Sequence, residues 1–277
     1  MTEVLVWRPG WGLEPDDIPD GRLHAADSWL LRDGRVRALD RHRERFFRAC
    51  REVGGPPERE LNAFWAAVLD ALPRDGSWFP RVEWASSLRV RIRPAPPLAT
   101  EAAVRVSNVR DPRSVPRRKG PDLAVLAGMR AWASRQNCQE VLLVSKAGLI
   151  LEAAHASVLW WEGGRLCAPD PHLSVLEGVT TGLIQQRAIE LGVPFVFRRR
   201  PPTHLNAREV WLVNALHGIR PVIRWVGAPV LAGAAGRAPA WRLWLDGLAE
   251  PLPPRRAAAG KPAAGGAAGQ AEVLAGR

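Results

Sequence analysis

The sequence predicts a mixed α/β or α+β protein with two ordered parts, and three observations lead to that expectation. Apolar residues recur at helical spacing between 61 and 72, and they alternate with arginines between 87 and 94. After residue 121, strand-like and helix-like segments alternate. The 277 residues, 47% of them hydrophobic, are enough for one large domain or two smaller ones with real cores.

The first part is expected to be a small α/β domain over residues 1–112. Its predicted elements are a strand-like segment over 27–36 with a turn at Asp33–Gly34, a helix over about 40–53, a helix after Pro56–Pro57 and a strand over 87–94.

The polar, proline- and arginine-rich segment 108–120 predicts a connection, and we place the interdomain linker at 113–120. A larger α/β domain with a mixed sheet should follow over 121–250. Its expected elements are a helix over about 121–137 with Pro121 in its first turn, strands at 141–144, 149–161 and 165–169, a helix over 179–191 ended by Gly192, and strands in PFVF, VWLVNAL and PVIRWVG. The Pro/Ala/Gly-rich segment 251–277 predicts a disordered tail.

Composition favours a cytoplasmic protein of enzyme size. No apolar run approaches the roughly 18 to 20 residues of a membrane span, and the first residues do not resemble a signal peptide. Cys50, Cys138 and Cys167 lack metal-ligand spacing and cannot all pair, as is usual for reduced thiols. The sequence therefore predicts neither a metal site nor a membrane partner.

The net charge of +11 is compatible with a nucleic-acid partner. The charge is spread along the chain, however, with short clusters only at 117–119 and 198–200. Because no zinc-finger spacing, RNP motif or long basic helix accompanies it, nucleic-acid binding rests on charge alone.

Only three of the 39 basic residues are lysines, at positions 119, 146 and 261. A lysine can lose its proton and attack a carbonyl, which an arginine in a protein practically cannot. Lys119 follows two arginines, lies before a predicted helix and is the candidate nucleophile. The alternative is one more linker charge. Lys146 lies in a turn and Lys261 in the tail, where solvated charges are the ordinary case.

Four further stretches are candidates for chemistry. Gly178 precedes a helix whose first N–H groups, at Val179 and Thr180, suit a phosphate, although Thr180 as a simple N-cap explains the same pattern. Glu152 interrupts an apolar strand and is either a buried carboxylate or a solvent-facing one.

His42 and Arg45 share a face of the helix over 40–53, where Arg45 suits a phosphate, and Arg41 and Arg43 are expected to be solvated. Asn214, His217 and Gly218 form a turn after a buried strand, where a histidine is usually structural.

Taken in order, these stretches resemble the class IV aminotransferase family, the fold-type IV enzymes that depend on pyridoxal 5'-phosphate (PLP). The resemblance covers residues 27–227 and is densest over 119–222. It implies two α/β domains, PLP as cofactor, a small amino or carboxylate substrate and a homodimer. Family members include branched-chain and D-amino-acid aminotransferases and aminodeoxychorismate lyase.

The resemblance implies a role for each matching residue. Lys119 would hold the cofactor as an aldimine and shuttle a proton, and Glu152 would face the pyridine nitrogen. Arg45, in a His-x-x-Arg-Phe version of the family motif, would bind the phosphate. The remaining phosphate donors would be Val179, Thr180 and the backbone of Ala215.

Some positions depart from the family pattern. Thr181 stands where arginine is usual, Ser157 stands where asparagine is common, and the chain has no tyrosine. The segment before the first family strand is shortened to HAADSWLL. We expect these changes to lie nearer the substrate than the phosphate, which leaves a relative without catalysis as one alternative.

The Asn-Ala-Leu turn resembles aminodeoxychorismate lyase more than the Gly-Thr-Ala turn of branched-chain aminotransferases. The lyase eliminates pyruvate from 4-amino-4-deoxychorismate to give 4-aminobenzoate. Transamination would use the same residues. Arg89, Arg91 and Arg93 share a strand face, and Arg91 and Arg93 are candidate carboxylate ligands unless that face belongs to a solvated edge strand.

Overall fold

The computed structural model describes residues 2–16 and 21–256. Its helices are α1 Leu39–Arg51, α2 Glu58–Ala71, α3 Leu123–Ser134, α4 Val179–Glu190 and α5 Ala238–Gly247. Its strands are β1 Glu3–Arg8, β2 Gly12–Pro15, β3 Ala25–Ser28, β4 Leu31–Arg32, β5 Arg35–Arg37, β6 Ser77–Trp78, β7 Arg81–Trp84, β8 Leu88–Ile92, β9 Ala102–Val106, β10 Glu140–Val144, β11 Ile150–Ala153, β12 Ser157–Glu162, β13 Arg165–Pro169, β14 Phe195–Arg198, β15 Val210–Asn214, β16 Gly218–Val226 and β17 Ala249–Pro251. Within the described residues, no helix is long and apolar enough to cross a membrane.

The N-terminal part is an antiparallel sheet in the order β2-β1-β8-β7-β3, next to a smaller sheet in the order β17-β5-β4-β6. Phe46 of α1 and Phe64 of α2 share one buried core with Val82 and Val90 of the larger sheet. Alternation along β8 turns its apolar side chains toward this core and leaves the arginines on the opposite face.

The C-terminal part is an eight-stranded mixed sheet in the order β11-β10-β9-β16-β15-β12-β13-β14. Strand β9 pairs parallel with both β10 and β16, and β13 pairs parallel with β14. The sheet curls until its two edge strands, β11 and β14, come close together. The N–H of Ile150 on β11 donates to the carbonyl of Arg200, two residues after β14, at 2.8 Å. Ile184 of α4 and Leu245 of α5 pack on one face of this sheet.

The structure confirms the predicted mixed α/β class. The turn at Asp33–Gly34 joins β4 to β5, and both residues have a positive φ, as a tight hairpin needs. Helices α1, α2 and α4 lie where periodicity predicts them. Helix α3 begins at Leu123, two residues after Pro121.

The predicted domain boundaries are wrong at two places. Strand β9 was assigned to the N-terminal part but lies inside the large sheet, between β10 and β16. Residues 251–256 were assigned to the tail, yet Pro251 belongs to β17, and the N–H of Leu252, whose side chain is buried, donates to the carbonyl of Gly34 at 2.7 Å. The rest of the predicted tail, residues 257–277, lies outside the described residues.

The predicted strand over 149–161 is two strands. A turn at Ala154–His155 separates β11 from β12, which pair with different neighbours. Both flanks are apolar because both strands are buried, so composition gives no sign of the break. The N-terminal hairpin and α5 were not predicted.

The linker docks closely on β3. The N–H of Ala26 donates to the carbonyl of Lys119 at 2.8 Å, and Arg118 Nε donates to the carbonyl of His24 at 2.9 Å. Gly120 has a φ of +136°, and a Cβ there would lie 2.9 Å from backbone atoms of Ala25. Only glycine fits this contact, which fixes the backbone beside Lys119.

Replacing this glycine therefore has a predictable cost. Gly120→Ala should lower the free energy of unfolding by about 1–3 kcal/mol, because the alanine is strained and collides with backbone that cannot move away. Chemical denaturation measures the change. Gly128→Ala, at an exposed position in α3 with open space around the new Cβ, is the control and should be neutral or stabilising. Equal stabilities for the two variants would contradict the close contact.

Candidate active site between the two parts

A cavity of about 780 Å³ lies between the two parts of the chain. The residues of the sequence-predicted site that line it are Lys119, Glu152, Arg45, Val179, Thr180, Ala215 and Arg93. Arg91 is not among the residues that line it. Residues up to 170 positions apart in sequence, Arg45 and Ala215, therefore line the same cavity.

Asp27 anchors the N-terminal wall. Its carboxylate is fully buried and accepts hydrogen bonds from Arg45 Nε at 2.7 Å, Arg45 Nη2 at 2.8 Å and His42 Nδ1 at 2.8 Å. Burial alone would raise the pKa of Asp27, but the charges of Arg45 and then His42 hold this pKa well below its usual range. Asp27 is thus a permanent anion that orients two side chains of α1.

Arg45 keeps donors for a ligand. Besides its two bonds to Asp27, its Nη1 donates to the carbonyl of Glu177 at 3.1 Å. Three of the five guanidinium N–H groups are therefore engaged, and two remain. Since Glu177 directly precedes Gly178, Arg45 also ties α1 to the start of α4.

Lys119 faces the cavity from the docked linker. Burial, followed by the charge of Arg45, lowers the pKa of its amine to about 8. A sizeable fraction of this amine is therefore unprotonated near neutral pH, as nucleophilic attack and proton removal require.

Glu152 lies on β11 and is 6% exposed, so the buried alternative is correct. Both of its hydrogen bonds go to Oε1, one from Arg113 Nη1 and one from the N–H of Leu176 at 2.9 Å. Oε2 has no partner among the described residues. Burial raises the pKa of Glu152 to about 7, although the charge of Arg113 opposes this.

Arg113 binds Glu152 and holds its carboxylate in place. Its guanidinium is almost fully buried, donates to Asp111 Oδ2 at 2.9 Å and donates to the carbonyl of Ser174 at 2.8 Å. Arg113 therefore fixes the orientation of Glu152 as well as favouring its ionised form.

Helix α4 begins at the cavity. Its N-cap residue is Gly178 and no side chain caps it, so the interpretation of Thr180 as an N-cap is wrong. The N–H groups of Val179 and Thr180 lie in the first turn, where a helix leaves its donors without helical partners. Thr181 Oγ1 is buried there without a hydrogen-bond partner.

Two departures from the family pattern meet at Gly178. A Cβ on Gly178 would lie 2.8 Å from Ser157 Oγ and 3.0 Å from Thr181 Oγ1. Both substituted residues therefore flank the start of α4, where the phosphate donors are predicted, and whether they lie nearer the substrate stays a prediction.

Ala215 and Asn214 form the turn that follows β15. Asn214 Nδ2 donates to the carbonyl of His155 at 3.0 Å, and its Oδ1 accepts from the N–H of His217 at 2.8 Å. Arg37 Nη2 donates to the carbonyl of Ala215 at 3.2 Å. Asn214 thus joins this turn to the β11–β12 turn.

The arginines of β8 have separate surroundings. Arg89 is buried against Asp16, Arg91 Nε donates to Glu83 Oε1 at 2.7 Å, and Arg93 Nε donates to the carbonyl of Phe79 at 2.9 Å. Because β8 lies between β1 and β7, the alternative of an edge strand is wrong. The structure brings Arg93 to the cavity and Arg91 to the Glu83 cluster instead.

Sequence reasoning missed Asp27, Arg113, Arg130 and His155 as residues of the cavity or its support, and it took His217, which also lines the cavity, as structural. Asp27 lies in the segment noted for its shortened entry, and Arg113 lies in the linker. No spacing relates either to its partner, since Asp27–Arg45 and Arg113–Glu152 are contacts between different elements.

Comparisons with known proteins agree with this fold. A family profile described as amino-transferase class IV matches residues 24–225. A search of curated protein sequences found no match. Among solved structures, a hypothetical aminotransferase from Mycobacterium tuberculosis, in its alpha-ketoglutarate- and PMP-bound form, aligns with a TM-score of 0.73 at 19% identity over 89% of this chain and 98% of that one.

Two branched-chain aminotransferases are similar to the same extent. The one from Escherichia coli aligns with a TM-score of 0.72 at 18% identity over 88% of this chain and 92% of that one. The one from the thermophilic archaeon Thermoproteus uzoniensis, determined with norvaline, aligns with a TM-score of 0.73 at 18% identity over 90% of this chain and 99% of that one. These likenesses establish the fold.

Removing the charge of Asp27 tests its anchoring role. Asp27→Asn should lower the free energy of unfolding at pH 7 by about 3–5 kcal/mol, because Arg45 and His42 lose their buried anion. The folded-state pKa of Asp27 lies below its unfolded value of about 3.9, so its contribution is complete above pH 4 and is lost as pH falls through the folded-state pKa. Denaturation of wild type and variant should therefore converge in acid.

The control is Asp40→Asn, an exposed acid on the same helix, which should change stability by less than about 1 kcal/mol. An Asp27→Asn variant no less stable than this control, or a gap that does not narrow in acid, would show that Asp27 is not the anchor.

Proposed function

The chain belongs to the class IV aminotransferase family, and we propose that within this family it is an aminodeoxychorismate lyase-like enzyme. The family model and the structural relatives make it a PLP-dependent enzyme. The proposed reaction splits 4-amino-4-deoxychorismate into 4-aminobenzoate and pyruvate. No other reactant is needed, since the two products together contain every atom of the substrate.

The residues present fit the cofactor. A phosphate requires donors, and the start of α4 offers uncapped N–H groups, the unpartnered hydroxyl of Thr181 and the two remaining donors of Arg45. A pyridine nitrogen requires an acidic partner. Glu152 can supply it through Oε2, which has no hydrogen-bond partner among the described residues. Lys119 would hold the cofactor through its amine, and the backbone of Ala215 would complete the phosphate site.

The chemistry would divide between cofactor and chain. PLP, when bound, would supply an electron sink for the charge left when the substrate Cα loses its proton. Lys119 Nζ would remove this proton, which its lowered pKa permits near neutral pH. Glu152, fixed by Arg113, would bind the pyridine nitrogen and favour its protonated form. Arg45 and the start of α4 would hold the phosphate.

The turn at Asn214, Ala215 and Leu216 is the feature that favours a lyase over a transaminase. It borders the cavity, is held by both hydrogen bonds of the Asn214 amide, and has the sequence that resembles aminodeoxychorismate lyase. Transamination is the second candidate, because the structural relatives are named aminotransferases and every residue above serves either reaction.

Borohydride reduction and a product assay test the proposal together. With PLP bound, reduction should leave a pyridoxyl adduct on the peptide that contains Lys119. Incubation with 4-amino-4-deoxychorismate should give equal amounts of 4-aminobenzoate and pyruvate. Lys119→Arg should reduce kcat by about a thousandfold or more, because the guanidinium is neither nucleophile nor base.

Lys146→Arg, at an exposed turn, is the matched control and should keep full activity. An adduct on another lysine, or none with PLP in excess, would overturn the assignment of Lys119. Formation of a keto acid and the aminated cofactor, in place of 4-aminobenzoate, would establish the transaminase.

We also propose that the protein is a homodimer. The family resemblance implies it, and two of the most exposed apolar side chains, Leu243 at 77% and Ile189 at 68%, lie on α5 and α4. Large apolar side chains with this exposure are candidates for a surface that a partner covers.

Sedimentation equilibrium should give twice the monomer mass of 30.4 kDa. The double variant Ile189→Glu with Leu243→Glu should shift the protein toward monomer, whereas a glutamate at Val125, exposed on α3, should not. A wild-type mass of one chain at micromolar concentration would rule out the dimer.

A further inference from the structure

The inner face of the curled C-terminal sheet ends in a group of charged side chains. Trp160 of β12 and Cys167 of β13 belong to the buried core on this face. Side chains two positions apart on a strand share a face, so Glu162 and Arg165 lie just beyond that core. The whole group, which we call the terminal cluster, consists of Glu162, Arg165, Arg198, Arg200, His204 and Arg208.

The terminal cluster lies at the opposite end of β12 from the cavity. Ser157 begins this strand and lines the cavity, whereas Glu162 ends it. Strand β12 has 6 residues, and at about 3.3 Å per residue its ends are roughly 16 Å apart. No member of the cluster is among the residues that line the cavity. A ligand at the cluster would therefore be separate from the cofactor and substrate proposed above.

Glu162 is the one carboxylate of the cluster, and its hydrogen bonds fix its position. Its Oε1 accepts from Trp160 Nε1 at 2.6 Å and from His204 Nε2 at 2.8 Å. Burial alone would raise the pKa of Glu162, but these two hydrogen bonds lower this pKa below its usual value. Glu162 is therefore ionised near neutral pH, and its charge attracts the arginines around it.

Arg198 and Arg200 have donors that no described residue uses. The Nε atom of each is 3.8 Å from an oxygen of Glu162, which is too far for a hydrogen bond. Both Nε atoms are buried and have no hydrogen-bond partner among the described residues. Such donors are rare in folded proteins and point to an acceptor from outside the chain. The two side chains are 30% and 39% exposed, so a ligand can reach their guanidinium groups from solvent.

Four arginines face the one carboxylate of the cluster. Besides Arg198 and Arg200 there is Arg165, which pairs with Glu162 across the β12–β13 turn and has no ion pair among the described residues. The fourth is Arg208, whose Nε donates to the carbonyl of His204 at 2.6 Å. The positive charge in excess is therefore more than one negative charge can balance.

The approach to the cluster is open. Gly163 and Gly164 form the turn between β12 and β13, and a Cβ on either would meet no atom within 4 Å. Arg165, the next residue, is exposed. A small ligand can therefore reach the arginines without displacing another side chain.

We infer that the terminal cluster binds a small free oxyanion that carries more than one negative charge, of which phosphate is the type. Arg198 and Arg200 would bind its oxygens through paired N–H groups, and Arg165 would add positive charge at the open side. A single carboxylate would balance less of the excess charge. The inference is independent of the proposed function, because the cluster contains no residue of the proposed active site.

Calorimetric titration tests the inference directly. The protein is loaded with PLP, which occupies the phosphate donors proposed at the start of α4, and inorganic phosphate and acetate are titrated at the same ionic strength. Phosphate should bind saturably and at least about tenfold more tightly than acetate, because it engages two arginines at once. Equal affinities, or no saturable binding of phosphate, would overturn the inference.

Two variants and a matched control assign the binding to the cluster. Arg198→Gln and Arg200→Gln should each weaken phosphate binding by about tenfold, since each removes charge-assisted hydrogen bonds. Arg199→Gln removes the same charge from the residue between them, but Arg199 binds Asp170 at 2.8 Å, so the affinity should fall by less than about twofold. An equal loss in all three variants would mean that only the overall charge matters and would reject the site.

Glu162→Gln should increase the affinity. The glutamine keeps an oxygen for the bonds from Trp160 and His204 and removes the charge that competes with the ligand, so phosphate should bind about threefold more tightly or better. Unchanged or weaker binding in this variant would contradict an anion held by the arginines.

Two further results would place the anion elsewhere or change its kind. Phosphate binding that survives Arg198→Gln and Arg200→Gln but is lost in Arg45→Gln would place the anion in the cavity. A single-stranded oligonucleotide that binds more tightly than phosphate, and that loses affinity in the two cluster variants, would replace the small anion by a nucleic-acid backbone. Either result would overturn the inference, whatever the borohydride experiment shows for Lys119.

Discussion

The buried carboxylate of Asp27 is the constraint on which the rest of the site depends. It fixes Arg45 and His42 on α1, and the N–H of the preceding residue, Ala26, donates to the carbonyl of Lys119. Arg45 extends the connection to Glu177 at the start of α4. Strand β3 thus connects the predicted nucleophile with the predicted phosphate donors, which come from different parts of the chain. Replacing a buried anion in such a network leaves its cations uncompensated, which makes the network an all-or-none unit.

The two ends of the cavity differ in how their charges are balanced. Toward α4, Asp27 is paired with Arg45, and Glu152 is paired with Arg113, which also binds Asp111. Toward the β11–β12 turn, Arg130 and Arg220 share the carboxylate of Glu140 at 3.5 Å and 3.2 Å, and burial lowers the pKa of His155 to about 3. The first end therefore consists of paired charges, whereas at the second two cations share one anion.

The sequence predicted those elements and candidate residues that depend on a local pattern or a motif. Helices α1, α2 and α4 follow from periodicity, and residue types in a family order selected Lys119, Glu152 and Arg45, which line one cavity and whose roles stay predictions. Strand β9 could not be placed, because it pairs with β16, about 120 residues later, and only the sheet defines that partner. Asp27 and Arg113 were missed for the same reason, since their importance lies in contacts between elements. The break at Ala154–His155 was hidden because burial makes both flanking strands apolar, and the position of His155 at the cavity was hidden with it.

The substituted positions at the start of α4 bear on whether the site has kept its function. Ser157 and Thr181 stand where the family usually has an asparagine and an arginine, and both hydroxyls lie against Gly178. Both replacements are smaller, and each offers an O–H donor in place of the N–H donors of the usual residue. The principal anion donors at this point are backbone N–H groups of α4, which no side-chain substitution removes. Thr181 Oγ1 is buried without a hydrogen-bond partner, and Glu152 Oε2 accepts no hydrogen bond from the described residues. The proposed cofactor would give each of them a partner, through its phosphate and its ring nitrogen, whereas a relative without a cofactor would leave both without one.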